Sequence, residues 1–181
     1  MGFGSAPEWF EGFYKEFYPK LFRYALRFIE VSKASEVVQD CFLKLLAEPD
    51  KEPAHLASWL YVTCRNQCID EIRRRKKMKS SDEMDEDQLV DQSDHLDDQI
   101  YQSQINQQLT VALATLSFKE KEVIRLKFQD GLSYQQISDI TGHNVNYVGV
   151  LIHESVQKIK GQVLILGKAT LNQKGVQNGK K

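Results

Sequence analysis

The densest chemistry in this chain is a run of cations. Arg73, Arg74, Arg75, Lys76, Lys77 and Lys79 put six bases into seven positions. Cations at a helix C-terminus complement the macrodipole, which accounts for part of the run. Six of them exceed what capping requires, and together they form a concentrated phosphate-binding surface. Trp59, Tyr61, Arg65 and Asn66 precede Arg73 and Arg74 on the same segment. Aromatics interleaved with bases and an amide suit unstacked bases of a single strand, which stack on rings while the phosphates are held. The plain alternative for Trp59 is a core position. A second set, Ser133, Tyr134, Asn144, Asn146, Tyr147, Gly149 and His153, falls in the C-terminal third. Asparagine can pair with adenine bidentately, and apolar groups can touch thymine methyls.

For catalysis the sequence is poor. It has no glycine-rich phosphate loop, no nucleophile elbow and no histidine pair at metal spacing. His55, His95, His143 and His153 are isolated, and the carboxylates concentrate between the two sets above, where nothing rigid positions them. Cys41, Cys64 and Cys68 make an odd count with no second cluster to complete a zinc site. Cys64 and Cys68 share a helix face and read as packed thiols; a thiol- or metal-dependent enzyme built on them is the competing reading. The expectation is no catalytic residue, no metal and no cofactor.

The elements that carry these residues are helical. In 181 residues, 41% hydrophobic, there are only 10 Gly and 4 Pro, which disfavours a sandwich or barrel rich in tight turns. No stretch approaches the roughly 18 apolar residues of a membrane span, and Met1 to Phe10 lacks a secretory pattern, so a cytoplasmic protein is expected. The net charge of −1 conceals segregation. Residues 1–79 carry 14 bases and 11 acids, residues 80–106 carry 9 acids and no base, and residues 107–181 carry 10 bases and 5 acids. Two mildly basic modules thus flank an acidic connector, a balance that suggests nucleic acid at the modules; the bland reading is solvated faces.

Along the chain, Phe10, Phe13, Tyr14, Phe17, Leu21, Tyr24, Ala25 and Phe28 recur at helical spacing over Trp9–Glu30 and predict a buried aromatic stripe, kinked or divided at Pro19. Ser32 or Ser35 is a candidate N-cap for a second helix to Ala47, lined by Val38, Phe42, Leu45 and Leu46. Two prolines make 48–53 a loop. A third helix is expected from about His55 to Lys79 on Leu56, Leu60, Cys64, Cys68 and Ile72. Past the connector, Ile105, Leu109, Ala112, Leu113 and Leu116 predict a helix. Ser117 to Glu120 forms a capping box for the next, with core positions Val123, Ile124, Leu126 and Phe128. Ser133 to Gln136 opens a short helix with Ile137 and Ile140. Gly142 then turns the chain, and a final helix capped by Asn144 buries Val148, Ile152, Ser155 and Ile159. A short helix, a glycine turn and a longer helix make a helix-turn-helix. The lysine-bearing end from Gln162 reads as a frayed tail.

Three segments in this order resemble the sigma-70 family of bacterial transcription initiation factors, in its compact extracytoplasmic-function (ECF) group. They are Glu36 to Leu45; Trp59-Leu60 followed by Arg65-Asn66, Asp70 and Arg73-Arg74; and Leu116 through Glu122 to Asp130-Gly-Leu-Ser-Tyr134 and Ile137. The resemblance implies an all-α chain of two small helical domains: a three-helix region 2 domain over 1–79 and a region 4 helix-turn-helix domain over 100–161. A flexible acidic linker at 80–99 and a disordered tail at 162–181 complete it. It implies that Glu36, Gln39, Asp40 and Leu43 dock on the β′ clamp helices of core RNA polymerase. Trp59, Tyr61, Arg65, Asn66, Arg73, Arg74, Arg75 and Lys76 would then open and hold the −10 DNA. Ser133, Tyr134, Asn144, Asn146, Tyr147, Gly149 and His153 would bind the −35 duplex of promoter DNA, near the polymerase β flap. An anti-sigma factor is a further partner, with no membrane insertion. The runner-up is a stand-alone helix-turn-helix regulator of duplex operators.

One departure from the family stands out. Its recognition helices usually carry several Lys or Arg, whereas here the stretch is Asn146-Tyr-Val-Gly-Val-Leu-Ile-His-Glu-Ser155. Tyr147, Val150 and Leu151 are expected on its outer face, Glu154 stands in place of a base, and Lys158 and Lys160 come only at the end. Fewer phosphate contacts imply weaker, less salt-dependent binding. The apolar residues either read thymine methyls or receive a protein partner, and the sequence does not choose.

Overall fold

A computed structural model describes residues 8–47, 53–77 and 104–177. The acidic connector and the proline loop at 48–52 lie outside them. The described chain is helical without a strand: α1 (Glu8–Ala25), α2 (Val31–Ala47), α3 (Pro53–Lys77), α4 (Gln104–Ala114), α5 (Phe118–Phe128), α6 (Tyr134–Thr141) and α7 (Val145–Gln177). The all-α expectation is met. Helices α1, α2 and α3 pack on one another, and α7 packs on α4 and α5. The compact units are α1–α3 together with residues 135–142, and α4, α5 and α7.

In the first unit α1 is one helix with Pro19 inside it, neither divided at the proline nor prolonged to Glu30. Beyond Ala25 the chain tightens, with the Phe28 and Ile29 N–H groups donating to the Ala25 carbonyl at 2.9 and 3.1 Å. The second helix starts four residues earlier than Ser35. The Ala34 N–H already donates to Glu30 O, and Ser32 and Ser35 lie inside the helix rather than capping it. The aromatic stripe is buried only in its second half. Leu21, Tyr24 and Phe28 are enclosed, whereas Phe10, Phe13, Tyr14 and Phe17 are half-buried. The rings of that upper half meet one another and Phe42 of α2, which lies 4.7 Å from Tyr14 and 6.1 Å from Phe10. Lower down, Tyr24 meets Phe28 and Tyr61 edge-on, and the enclosed Arg27 guanidinium lies over the Tyr24 ring.

Cys41, Cys64 and Cys68 are fully buried thiols. Hydrogen bonds from Cys41 and Cys68, reinforced by burial, push the Cys64 thiol well above its ordinary value. That disfavours the thiolate needed for nucleophilic attack or metal binding. These residues act as packed core groups between α2 and α3.

In the second unit the capping box at the start of α5 forms as the sequence predicts. The Ser117 hydroxyl accepts from the Glu120 N–H, and the Glu120 carboxylate accepts from the Ser117 N–H at 2.8 Å. Phe128, expected in the core, is 65% exposed. The helix ends there, the chain reverses at Gly131 (φ 74°), and Leu132 takes the covered position, its N–H donating to Leu126 O at 3.0 Å. In α6, Ile137 and Ile140 are buried, and Gly142 turns the chain at φ 73°, the left-handed conformation that glycine adopts without a Cβ penalty. The last helix does not fray at Gln162. It continues to Gln177, because the sequence beyond Gly161 contains no proline and begins with the helix-compatible Val163-Leu-Ile-Leu166.

Candidate nucleic-acid and polymerase interfaces

Helix α2 buries Ala34, Val37, Val38, Cys41, Phe42 and Leu45. That stripe leaves Glu36, Gln39, Asp40 and Leu43 exposed on the opposite side, within two turns of one another. Leu43 is 62% exposed. It stands in solvent beside two acids and an amide. All four residues read from the sequence share this face.

Helix α3 divides its sequence-predicted residues between inside and outside. Asn66, Arg73 and Arg74 are exposed, and Trp59 is half-buried. Trp59, Asn66 and Arg73 recur every seven residues, so they align along one outer face. Tyr61 and Arg65 are corrections: Tyr61 is fully buried with its ring 5.1 Å from Tyr24, and Arg65 is 6% exposed. Two positions past Trp59 is nearly the opposite side of a helix, which is why Tyr61 packs on α1 and cannot stack on a base.

The cations of α3 have acidic neighbours. Asp70 lies 3.7 Å from Arg73, and Glu71 pairs with both Arg74 and Arg75. Arg75 also reaches Glu30, at 2.7 Å, tying the end of α3 to the turn before α2. Arg75 therefore has a structural role that its place in a basic run did not announce. The Lys76 side chain lies outside the described residues. Arg73 and Arg74 are the most exposed of the three arginines; the Arg73–Asp70 pair is a surface one, worth about 0–1 kcal/mol, whereas Glu71, the partner of Arg74, is itself only 11% exposed.

The α6–α7 segment has a different character. The Asn144 Oδ1 accepts from the Asn146 N–H at 2.9 Å, and the Val148 N–H donates to Asn144 O. Asn144 is thus the N-cap of α7, and its carbonyl oxygen is committed to the helix rather than to a base edge. Asn146, Tyr147 and His153 are exposed, and Tyr147 stands edge-on to His143 with ring centroids 5.3 Å apart. Ser133 is exposed. Tyr134 is partly exposed, its ring lying under the Lys127 ammonium and 3.7 Å from where a side chain on Gly149 would begin. The expected outer face needs one correction. Val150 is 49% exposed, but Leu151 is 6% exposed. Leu151 lies three residues past Val148 and four before Ser155, so it belongs to the inner stripe.

Lys158 is exposed, but its charge is already engaged within the chain. Its ammonium donates to Glu120, the carboxylate that also completes the α5 capping box. Burial alone would raise the Glu120 carboxyl; Lys158 and the Ser117 N–H and hydroxyl outweigh it and hold the group below its ordinary value. The same contact raises Lys158. The serine–glutamate spacing revealed the capping box, but no sequence pattern links Glu120 to a residue 38 positions away.

Comparison with known proteins agrees with this geometry. Residues 13–78 match the family described as Sigma-70 region 2, and residues 106–159 match Sigma-70, region 4. The chain is 28% identical over 160 residues to the ECF RNA polymerase sigma factor SigL of Mycobacterium tuberculosis, covering 85% of this chain and 88% of that protein. It is 26% identical over 132 residues to the RNA polymerase sigma factor SigV of Bacillus subtilis, covering 72% and 75%. The sigma factor RpoE of Bartonella quintana, solved in complex with the anti-sigma factor NepR, shares the fold at a TM-score of 0.61 and 22% identity, with 88% and 99% of the two chains covered. The chain belongs to the sigma-70 family, in its ECF group. Membership implies promoter-specific transcription initiation. No helix among the described residues is long and apolar enough to cross a membrane.

Proposed function

We propose that this chain acts as a non-catalytic specificity subunit of bacterial RNA polymerase in the cytoplasm. Glu36, Gln39, Asp40 and Leu43 on α2 dock on the β′ clamp helices. Trp59, Asn66, Arg73 and Arg74 on α3 hold the opened −10 strand, Trp59 by stacking and the arginines by phosphate contact. The helix-turn-helix of α6 and α7 binds the −35 duplex beside the β flap. The acidic connector threads the polymerase channels, where its charge mimics nucleic acid. An anti-sigma factor regulates it, as NepR accompanies the RpoE to which its fold is similar.

The observation that carries this reading is the coincidence, within one small helical unit, of an exposed acidic-apolar face on α2 and an aromatic-basic face on α3. An operator-binding regulator has no use for the first. Run-off transcription with purified core polymerase on bacterial genomic DNA tests it. Discrete promoters should fire only when the chain is present, and Asp40→Ala should abolish them while leaving the chain folded. Failure to co-purify with core, together with duplex operator binding that Asp40→Ala leaves intact, would instead establish a stand-alone regulator.

A further inference from the structure

The outer face of α7 names the kind of sequence it can read. From Asn144 to Gln157 the chain contains no Lys or Arg. Asn146, Val150, His153 and Gln157, at intervals of four, three and four residues, are all exposed and line one side of the helix, with Tyr147 on its flank. The nearest cation on the helix, Lys158, is held by Glu120. Lys127, in the last turn of α5, donates to Leu132 O at 3.2 Å and lies over the Tyr134 ring.

Guanine is most often specified by a bidentate Arg or Lys on O6 and N7; adenine is specified by Asn or Gln, and thymine by an apolar contact with its methyl. Resting on the −35 reading above, we infer that α7 selects a −35 element built of A·T pairs and carries no requirement for guanine. Asn146 reads adenine, and Val150 and Tyr147 contact thymine methyls. Residues near the N-terminus of a recognition helix are those that reach base edges, and Asn146, Tyr147 and Val150 occupy the first two turns. Tyr147 is braced for that role by the His143 ring. Glu154, the one side chain suited to a cytosine amine, lies a turn further along, and its charge acts on Lys158. A protein partner is the other occupant for exposed apolar residues. Tyr147 and Val150 are neighbours on the helix, but Asn146, His153 and Glu154 are exposed around them, a polar border that favours base edges over an apolar partner.

The test is transcription by the holoenzyme from a library in which a promoter that the chain fires keeps its −10 element while the −35 region is randomised. Enrichment of A·T pairs, with no guanine preferred opposite the first two turns, is the expected result. Two or more strongly selected guanines would overturn the inference and leave the −35 reading standing. Chain-dependent transcription with no upstream preference would remove the −35 reading itself. Val150→Arg, at an exposed position, should create a guanine preference of about 5- to 150-fold at one position. Asn146→Ala should relax one adenine. If Val150→Arg changes promoter strength without changing base preference, Val150 does not face the bases and the assignment is wrong.

Discussion

The outer faces of α3 and α7 are both expected to meet DNA, the first an opened strand and the second a duplex, and they are built on opposite principles. The α3 face carries arginines whose acidic partners, Asp70 and Glu71, lie three or four residues away on the same helix. These are short-range pairs within one helix, with Asp70 75% and Glu71 11% exposed. On α7 the first cation, Lys158, is bound to a carboxylate that is only 7% exposed on another helix, and it belongs to the architecture. Counting charges therefore overstates the second region's capacity for phosphate. Residues 107–181 carry 10 bases, but Lys121 and Arg125 are buried and Lys158 is engaged. On the proposed function, the first region would bind backbone and the second would read base edges.

The sharpest way to break this comparison lies on α3, between neighbours with opposite fates. Tyr61→Ala should cost about 3–5 kcal/mol of stability, the range for deleting a large enclosed ring, measured by denaturant unfolding. Trp59→Ala, at a half-buried position, should lower the midpoint less than Tyr61→Ala and weaken binding of a single-stranded −10 oligonucleotide by the holoenzyme by about 1–3 kcal/mol, the value of one stacked base. If Tyr61→Ala weakens DNA binding at unchanged stability, the inside–outside division of α3 is wrong.

Next in size is the salt dependence. Replacing Arg73 and Arg74 together by Gln should lower the slope of log K against log salt for the −10 strand by about 1.4, at roughly 0.7 per phosphate contact. Replacing Lys158 by Gln should leave the salt slope of −35 duplex binding unchanged, because that ammonium is engaged with Glu120. A reduced slope in the Lys158 variant would return α7 to the ordinary basic type and erase the contrast between the two faces.

Much of this arrangement was legible from the residues. Helical periodicity and the caps placed all seven helices of the described residues, and the capping box and Gly142 fixed two boundaries, because those signals act within a few residues of where they are written. The four α2 residues were named through the family resemblance, and all four are exposed on the side opposite the buried stripe. What was not legible depends on contacts distant in sequence. Tyr61 and Arg65 looked like binding residues until α1 covered Tyr61, and Leu151 looked exposed until its inner stripe was traced. Arg75 looked like a phosphate ligand until Glu30, 45 positions away, was found beside it. The early start of α2 was missed because two serines offered caps that the chain does not use.

A smaller effect tests the second unit's internal use of charge. Ser117→Ala should destabilise it by about 1 kcal/mol through loss of the N-cap. The Glu120 carboxyl is held below its ordinary value in the folded state. Its contribution is therefore present above the unfolded carboxylate range, near pH 4.3, and is lost as pH falls through the lower folded value. Stability followed by circular dichroism should decline over that acidic window in the native chain. Glu120→Gln, which cannot ionise, should flatten the decline. An identical acid profile in the two proteins would mean that the Lys158–Glu120 contact contributes nothing to stability.

The smallest effect concerns Gly149, the one glycine within the reading turns of α7. A glycine inside a helix is destabilising by about 0.5–1 kcal/mol relative to alanine, so its presence suggests that something needs the space. The geometry says that nothing does. A Cβ at this position would meet Tyr134 at 3.7 and 3.9 Å, ordinary van der Waals distances. Gly149→Ala should accordingly stabilise α7 by about that amount, with the Tyr134 ring still in place. On the helix, Gly149 lies to the side of the line through Asn146, Val150 and His153, toward Tyr134. An added methyl should therefore leave the base preference of the holoenzyme unchanged while raising the unfolding midpoint. If the methyl instead weakens −35 binding, the DNA approaches the backbone at Gly149 more closely than the face centred on Val150 allows. The reading surface would then have to be rotated toward Tyr134.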